Sequence, residues 1–198
     1  MTRPLVGVLG RKRAGKTTFA DRFVERHGYV SYAFGDPVKT ALLALDPIIG
    51  YEERFEELDP RNHWYEPVRL SEVVNQLGWE KAKELPEVRA LLQRFATESI
   101  RALDEDFWVR LVMSDVDSDI RPVVIGDVRF HNEAEAIRRA GGLLVRVTRP
   151  GLPPDPHISE NGLIDRATDY EIHNDAGLDF LTSQTDWLAG LINRRYGK

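Results

Sequence analysis

The sequence predicts an α/β fold with a parallel sheet of about five strands, and three observations lead to this prediction. Short apolar runs have the character of buried parallel strands at residues 6–9, 122–125 and 143–147. Segments with helical spacing of apolar residues separate these runs, which implies parallel strands joined by right-handed crossovers. Gly10, Asp36, Asp127 and Arg149 fall at the carboxyl ends of predicted strands, where such sheets collect ligands.

The other elements follow from helical spacing and from turn residues. A helix follows the glycine-rich turn and is stopped by Gly28, and Pro37 starts a helix to about residue 43 with Asp36 as its N-cap. We expect two further strands at residues 29–34 and 170–173, and further helices at residues 70–84, 87–103, 106–115, 132–140 and 180–194. We expect non-repetitive structure at residues 46–66, which are acidic and aromatic, at the polar connection 114–121 and in a mobile loop at 150–166.

A glycine-rich segment after the first strand carries the most specific signal. Gly10, Gly15, Lys16 and Thr17 match the phosphate-binding pattern G-x-x-x-x-G-K-[ST]. The glycines let successive backbone N–H groups point at a polyphosphate, the lysine adds a compact positive charge, and the threonine hydroxyl can hold Mg²⁺. The strand before the pattern and the helix after it favour a nucleotide phosphate site over a structural glycine turn.

Composition narrows the class of protein. The 198 residues carry a formal net charge of −5, which argues against broad binding to nucleic acid. The basic cluster at residues 11–13 therefore serves a nucleotide in this interpretation. Cysteine is absent, so the chain forms no disulfides, which suits the cytoplasm. No apolar run approaches the length of a membrane span, and we expect no secretion signal at the N-terminus.

Several segments together carry a family resemblance, at residues 10–17, 34–39, 92–101, 107–109, 127–133 and 147–150. They resemble the P-loop nucleoside monophosphate kinase superfamily, most closely its phage-type deoxynucleoside monophosphate kinases, over most of the chain. Ala96 stands where that family usually has glycine. Phosphomevalonate kinases of the eukaryotic type are similar too, since they share the basic phosphate loop, the Pro-x-Lys turn and the Asp-x-Arg strand end.

The resemblance implies a three-layer P-loop kinase with a core at residues 1–36 and 107–198, a helical acceptor-binding lobe at 37–106 and a lid at about 150–166. It implies ATP- and Mg²⁺-dependent phosphorylation of a deoxynucleoside monophosphate to the diphosphate. The enzyme would be cytoplasmic, in the host cytoplasm if phage-encoded, with a possible homodimer as its assembly. We expect neither nucleic acid nor a membrane as a partner.

Within that family, each candidate residue has an expected role. ATP is expected to contact Gly10, Arg11, Lys12, Arg13, Ala14, Gly15, Lys16, Thr17 and Thr18. Mg²⁺ is expected at Thr17 and, through water, at Asp127. The residues expected to act on the transferred group are Lys16, Asp127, Arg129 and Arg149. The residues expected to bind the acceptor are Asp36, Lys39, Gln93, Arg94, Thr97, Arg101 and Arg129.

Simpler roles stand beside several of these. The spacing of Gln93, Thr97 and Arg101 places them on one helical face, which could read a base edge and hold a phosphate or could be a solvated polar face. Arg94 lies off that face and is either an acceptor contact or solvated. Arg129 could form a surface salt bridge instead. Contacts of the lid residues His157, Ser159, Glu160 and Arg166 stay open.

Two other functions remain in view. One is a kinase of another small phosphorylated metabolite, such as phosphomevalonate. The other is a phosphate-loop switch that hydrolyses its nucleotide slowly. The sequence has no N-K-x-D motif for guanine, and the roughly 70 residues between Pro37 and Asp106 are enough for an acceptor-sized lobe, so both features disfavour the switch.

Overall fold

The computed structural model describes residues 3–57, 59, 61–152 and 167–197. The chain divides into two compact units, one made of Met1–Gly35 with Asp106–Lys198 and the other of Asp36–Glu105. We call them the sheet unit and the inserted unit and describe each by itself.

Seven strands and seven α-helices lie in the described ranges. The strands are β1 (Leu5–Leu9), β2 (Val30–Tyr32), β3 (Ile48–Phe55), β4 (His63–Arg69), β5 (Val123–Val128), β6 (Leu143–Thr148) and β7 (Tyr170–His173). The helices are α1 (Lys16–His27), α2 (Asp36–Leu45), α3 (Leu70–Ala82), α4 (Pro86–Gln93), α5 (Phe107–Ser118), α6 (His131–Arg139) and α7 (Leu178–Arg195). A π-helical segment, Arg94–Arg101, continues α4.

The sheet unit contains a five-stranded sheet in the order β2-β5-β1-β6-β7, with every neighbouring pair parallel. Side chains alternate along β1, so Val6 and Val8 enter one core and Leu5 and Leu9 the other. The first core is completed by α1 and α7, and the second by α5 and α6. The predicted α/β fold with a five-stranded parallel sheet is therefore confirmed.

The inserted unit differs from the expectation at residues 46–66. The sequence predicts irregular chain there, whereas β3 and β4 form an antiparallel hairpin with Glu53 opposite Tyr65 and Arg54 opposite Trp64. Most of its side chains are exposed on both faces, so the sequence lacks the apolar–polar alternation that identifies a half-buried strand. The aromatic residues still favour a strand, and Arg54 pairs with Glu66 across the hairpin at 3.0 Å.

Two helix predictions also need correction. The helix expected at residues 87–103 is two elements, since α4 passes into the π segment at Arg94. Residues 114–121 were expected to form a polar connection, but α5 runs to Ser118 because Val112 and Val116 keep its apolar face in the core. None of the helices within the described ranges combines the length and apolar character that a membrane crossing requires.

Candidate active site

The phosphate loop joins β1 to α1 in the sheet unit. Lys16 is the first residue of α1, and its Nζ donates hydrogen bonds to the carbonyl oxygens of Gly10 at 2.6 Å and Arg11 at 2.9 Å. The lysine side chain therefore folds back along the loop, so its ammonium and the N-terminus of α1 belong to one small region. Both features favour an anion there.

Close packing and backbone conformation explain the glycine at position 10. Its φ angle is +147°, and a Cβ atom added to it would lie 2.2 Å from the carbonyl oxygen of Val147 in β6. Because the obstructing atom belongs to a sheet backbone, the loop would have to move to accept any side chain. Gly10 thus seats the beginning of the loop against the end of β6.

The basic residues of the loop have exposed side chains. Arg11, Lys12 and Arg13 are exposed, and Arg13 has a φ angle of +65°, which is uncommon outside glycine. The N–H of Ala14 closes a turn onto Arg11 O at 3.1 Å, and Ala14 itself is buried. The loop therefore carries three positive side chains that stay outside the core. Thr17 is exposed and Thr18 half-buried on the first turn of α1.

Asp127 is the penultimate residue of β5 and binds the turn after β2. Its Oδ1 accepts the N–H of Phe34 at 2.7 Å, and its Oδ2 accepts the N–H of Gly35 at 2.9 Å. The sequence suggested a carboxylate for a metal, and the structure adds this contact with the backbone. A carboxylate has about four acceptor positions, so the two oxygens still have capacity for another donor or for a metal-bound water.

A buried carboxylate shapes the turn that carries Arg129. Glu133 is 3% exposed, and its Oε2 accepts the N–H groups of Arg129 at 2.7 Å and Phe130 at 3.0 Å. Asn132 extends the network, since its Oδ1 accepts the Glu133 N–H and its Nδ2 donates to Asp106 at 2.8 Å. The backbone at Arg129 is therefore fixed while its side chain is exposed.

Sequence reasoning did not assign a role to Glu133 or Asn132. A signal for Glu133 existed, because a glutamate three residues after a helix N-cap is the second half of a capping box. The contact between Asn132 and Asp106 joins α6 to the residue just before α5, 26 positions away, so no local pattern could have indicated it.

The end of β6 leads to Arg149, which is exposed. Thr148 just before it hydrogen-bonds through Oγ1 to His173 Nδ1 at 2.9 Å, and its carbonyl accepts the N–H of Asn174 at 2.7 Å. Residues 153–166, which include most of the expected lid, lie outside the described residues. So do His157, Ser159, Glu160 and Arg166.

The remaining candidates lie in the inserted unit. Asp36 is the exposed first residue of α2, and its Oδ1 accepts a hydrogen bond from Lys39 Nζ at 2.7 Å. Gln93, Thr97 and Arg101 are half-buried, whereas Arg94 is exposed. Gln93, Thr97 and Arg101 are four residues apart, which is slightly more than one turn of an α-helix and slightly less than one turn of a π-helix. The common face therefore persists, and its role in binding stays a prediction.

The sequence profile described as deoxynucleotide monophosphate kinase matches residues 68–185, more than half of the chain. The chain belongs to this family. A protein of Acanthamoeba polyphaga mimivirus, provisionally named deoxynucleotide monophosphate kinase, is 33% identical over 164 residues, which cover 79% of this chain and 80% of that protein. The deoxynucleotide monophosphate kinase of Enterobacteria phage T4 is 26% identical, over 91% of this chain and 96% of its own.

Solved structures resemble the chain only distantly. Dephospho-CoA kinase from Campylobacter jejuni aligns with a TM-score of 0.46 and 12% identity, over 97% of this chain and 98% of that one. Shikimate kinase from Aquifex aeolicus vf5 aligns with the same score and identity, over 98% and 99%. Likeness at this level carries no argument about the substrate.

As a deoxynucleotide monophosphate kinase family member, the chain is a kinase, and the resemblance seen in the sequence is confirmed. The matched region contains Asp127, Arg129 and Arg149 of the sheet unit and the segment 93–101 of the inserted unit. It begins after the phosphate loop. The phosphate loop and the family match are therefore two separate parts of the chain that both indicate phosphoryl transfer.

Proposed function

We propose that this kinase transfers the γ-phosphoryl group of ATP to the phosphate of a deoxynucleoside 5′-monophosphate, giving ADP and the diphosphate. The observation that carries the proposal is the phosphate loop, where Lys16 lies along the glycine turn at the N-terminus of α1. Family membership supports the choice of acceptor, because the viral relatives are named for deoxynucleotide monophosphates.

The donor would be held by charge and by backbone donors. Loop N–H groups and the helix terminus suit the ATP phosphates, and Lys16 supplies the charge that the transferring group needs. The exposed hydroxyl of Thr17 and the remaining lone pairs of Asp127 are oxygen donors of the kind that Mg²⁺ prefers. Bound there, Mg²⁺ would neutralise phosphate charge.

The acceptor would be held by arginines and polar side chains. We assign Arg101 and Arg129 to its phosphate and Arg149 to the transferred group, because guanidinium groups bind phosphate in a bidentate manner. The Gln93–Thr97–Arg101 face suits a base edge at one end and a phosphate at the other. Asp36, Lys39 and Arg94 complete the proposed set. A general base is unnecessary, because the acceptor phosphate is already anionic.

The proposed setting is a nucleotide pool. Absence of cysteine and the net charge of −5 support a cytoplasmic enzyme without a nucleic-acid partner, and a homodimer remains our proposal for its assembly. Phosphomevalonate stays the second candidate acceptor, because the chain also has the Pro37-Val-Lys39 turn and the Asp127-Val-Arg129 strand end.

An assay of ADP release tests the acceptor. We expect turnover with at least one of dGMP, dTMP, dCMP and dAMP, and far poorer turnover with mevalonate 5-phosphate. A mevalonate phosphate has no base, so polar groups placed to read one would stay unpaired at about 1–3 kcal/mol each. Efficient use of mevalonate 5-phosphate, with failure of all four deoxynucleotides, would overturn the nucleotide assignment.

Gln93→Ala examines the base-reading face in the same assay. We expect it to change the ranking of the four deoxynucleotides more than the affinity for ATP, because Gln93 would contact the acceptor base. Gln76→Ala, an exposed position on α3, is the matched control and should leave the ranking unchanged. An unaltered ranking for Gln93→Ala would remove this residue from the acceptor site.

A further inference from the structure

Asn174 follows β7 in the sheet unit and contacts the phosphate loop. Its Nδ2 donates a hydrogen bond to the carbonyl oxygen of Ala14 at 2.9 Å. Its own N–H donates to Thr148 O at 2.7 Å, and the carbonyl of His173 beside it accepts Nε2 of Gln184 at 2.8 Å. The turn is therefore tied to β6 on one side and to α7 on the other. Asn174 reaches the loop from a rigid base.

The contact fixes the orientation of one peptide group in the loop. In a planar trans peptide the C=O and the next N–H point in opposite directions. Since Asn174 holds the Ala14 carbonyl, the N–H of Gly15 is directed away from Asn174. The φ angle of Gly15 is +109°, in a region where glycine moves easily. An external hydrogen bond is thus an effective way to hold this peptide in one orientation.

Packing at Gly15 shows how closely the amide approaches. A Cβ atom added to Gly15 would lie 2.7 Å from Asn174 Nδ2 and 3.1 Å from Leu181 Cδ2. The Asn174 amide therefore sits against the side of the loop that glycine leaves open. Gly15 is needed for this approach as well as for its own backbone conformation.

We propose that Asn174 is a positioning residue of the donor site, which keeps the Gly15 N–H directed at the phosphates of ATP. The inference rests on the proposed function, in which the loop binds ATP. It accounts for a polar contact that the glycine-lysine pattern does not contain. Loss of the contact weakens ATP binding by changing the loop, without removing a group that touches ATP.

Two substitutions separate positioning from space filling. Asn174→Ala removes the donor to Ala14 O, and we expect the Kd for ATP to rise about tenfold, equivalent to ~1.4 kcal/mol. Asn174→Asp is nearly isosteric, but at about pH 8 it is ionised and places a carboxylate against the carbonyl and near the phosphates. We therefore expect Asn174→Asp to weaken ATP binding more than Asn174→Ala does. A residue that only fills space would give the reverse order.

Calorimetry with ATP and with inorganic tripolyphosphate measures the effect. The Asn174 variants should bind ATP and tripolyphosphate more weakly by similar factors, whereas the KM for the deoxynucleotide should stay unchanged. Asn193→Asp is the matched control, since the Asn193 Oδ1 accepts a hydrogen bond from Tyr29 OH at 3.0 Å and aspartate keeps that acceptor. It should bind ATP as the unaltered protein does. Thermal unfolding confirms that each variant is folded.

The outcomes distinguish this inference from the proposed function. If the unaltered protein binds neither ATP nor tripolyphosphate, the proposed function is wrong. If the unaltered protein binds ATP and both Asn174 variants bind ATP as tightly as it does, only the positioning role is refuted. A milder effect of Asn174→Asp than of Asn174→Ala refutes it too.

Discussion

Asp127 gives a prediction whose size follows from the structure. Its two carboxylate oxygens accept the N–H groups of Phe34 and Gly35, and Phe34 is only 4% exposed. Asp127→Asn turns one acceptor into a donor facing a backbone N–H, at a cost of about 1.5–3 kcal/mol for one hydrogen bond to a charged group. Asp127→Ala loses both bonds, so we expect roughly 3–5 kcal/mol, with water compensating in part at half-buried Gly35.

Urea unfolding measures both values, with coincident fluorescence and circular dichroism transitions as the check on two-state behaviour. Asp117→Asn, an exposed position in the last turn of α5, is the matched control and should change the free energy of unfolding by less than about 0.5 kcal/mol. If Asp127→Ala also stays within that margin, the contact with the turn does not stabilise the protein. Titration of activity with Mg²⁺ reports the separate metal role, since both Asp127 variants should need more Mg²⁺ for half-maximal activity.

Three further predictions concern charge. Lys16→Ala should fold normally and lower turnover about a hundredfold or more, the scale for one electrostatic stabiliser, whereas near-normal turnover would sink the donor assignment. Arg101→Ala should raise the acceptor KM with little change in ATP affinity, and Arg129→Ala should also lower kcat; calorimetry showing that Arg101→Ala abolishes ATP binding would reject this division. Hydrogen bonding from Arg22 lowers the pKa of Asp186 from 3.8 to about 2. A carboxyl whose pKa is lower in the folded protein stabilises the fold at pH values above its unfolded pKa, and this contribution is lost as the pH falls through the folded pKa. Asp186→Asn should therefore reduce the fall in the free energy of unfolding between about pH 4 and pH 2. An unchanged dependence of that free energy on pH would count against the ion pair.

Buried parallel strands made the sheet predictable, because β1, β5 and β6 are short apolar runs bounded by turn residues. The hairpin of β3 and β4 was missed, since strands exposed on both faces show no alternation of apolar and polar residues. The π segment was missed for a different reason. Bonding from i to i+5 changes the helical period too little to be seen over eight residues.

The candidate site likewise contains residues that a local sequence pattern predicts and contacts that no local pattern predicts. Gly10 and Lys16 belong to a local pattern that states its own chemistry, so the loop could be predicted from sequence alone. Asn174 and Ala14 are 160 positions apart. No local pattern joins them, because the contact depends on how β7 and the loop meet in the folded sheet unit. Interactions of this kind require the structure.

Transfer of label from ATP tests the central claim most directly. The protein is incubated with Mg²⁺, ATP labelled with radioactive phosphorus at the γ position, and the four deoxynucleoside monophosphates, and the products are separated by chromatography. We predict label in a deoxynucleoside diphosphate, with one ADP formed for each labelled product and with Lys16→Ala as the low-turnover control. Label released only as inorganic phosphate would contradict the account and indicate slow hydrolysis by a phosphate-loop switch.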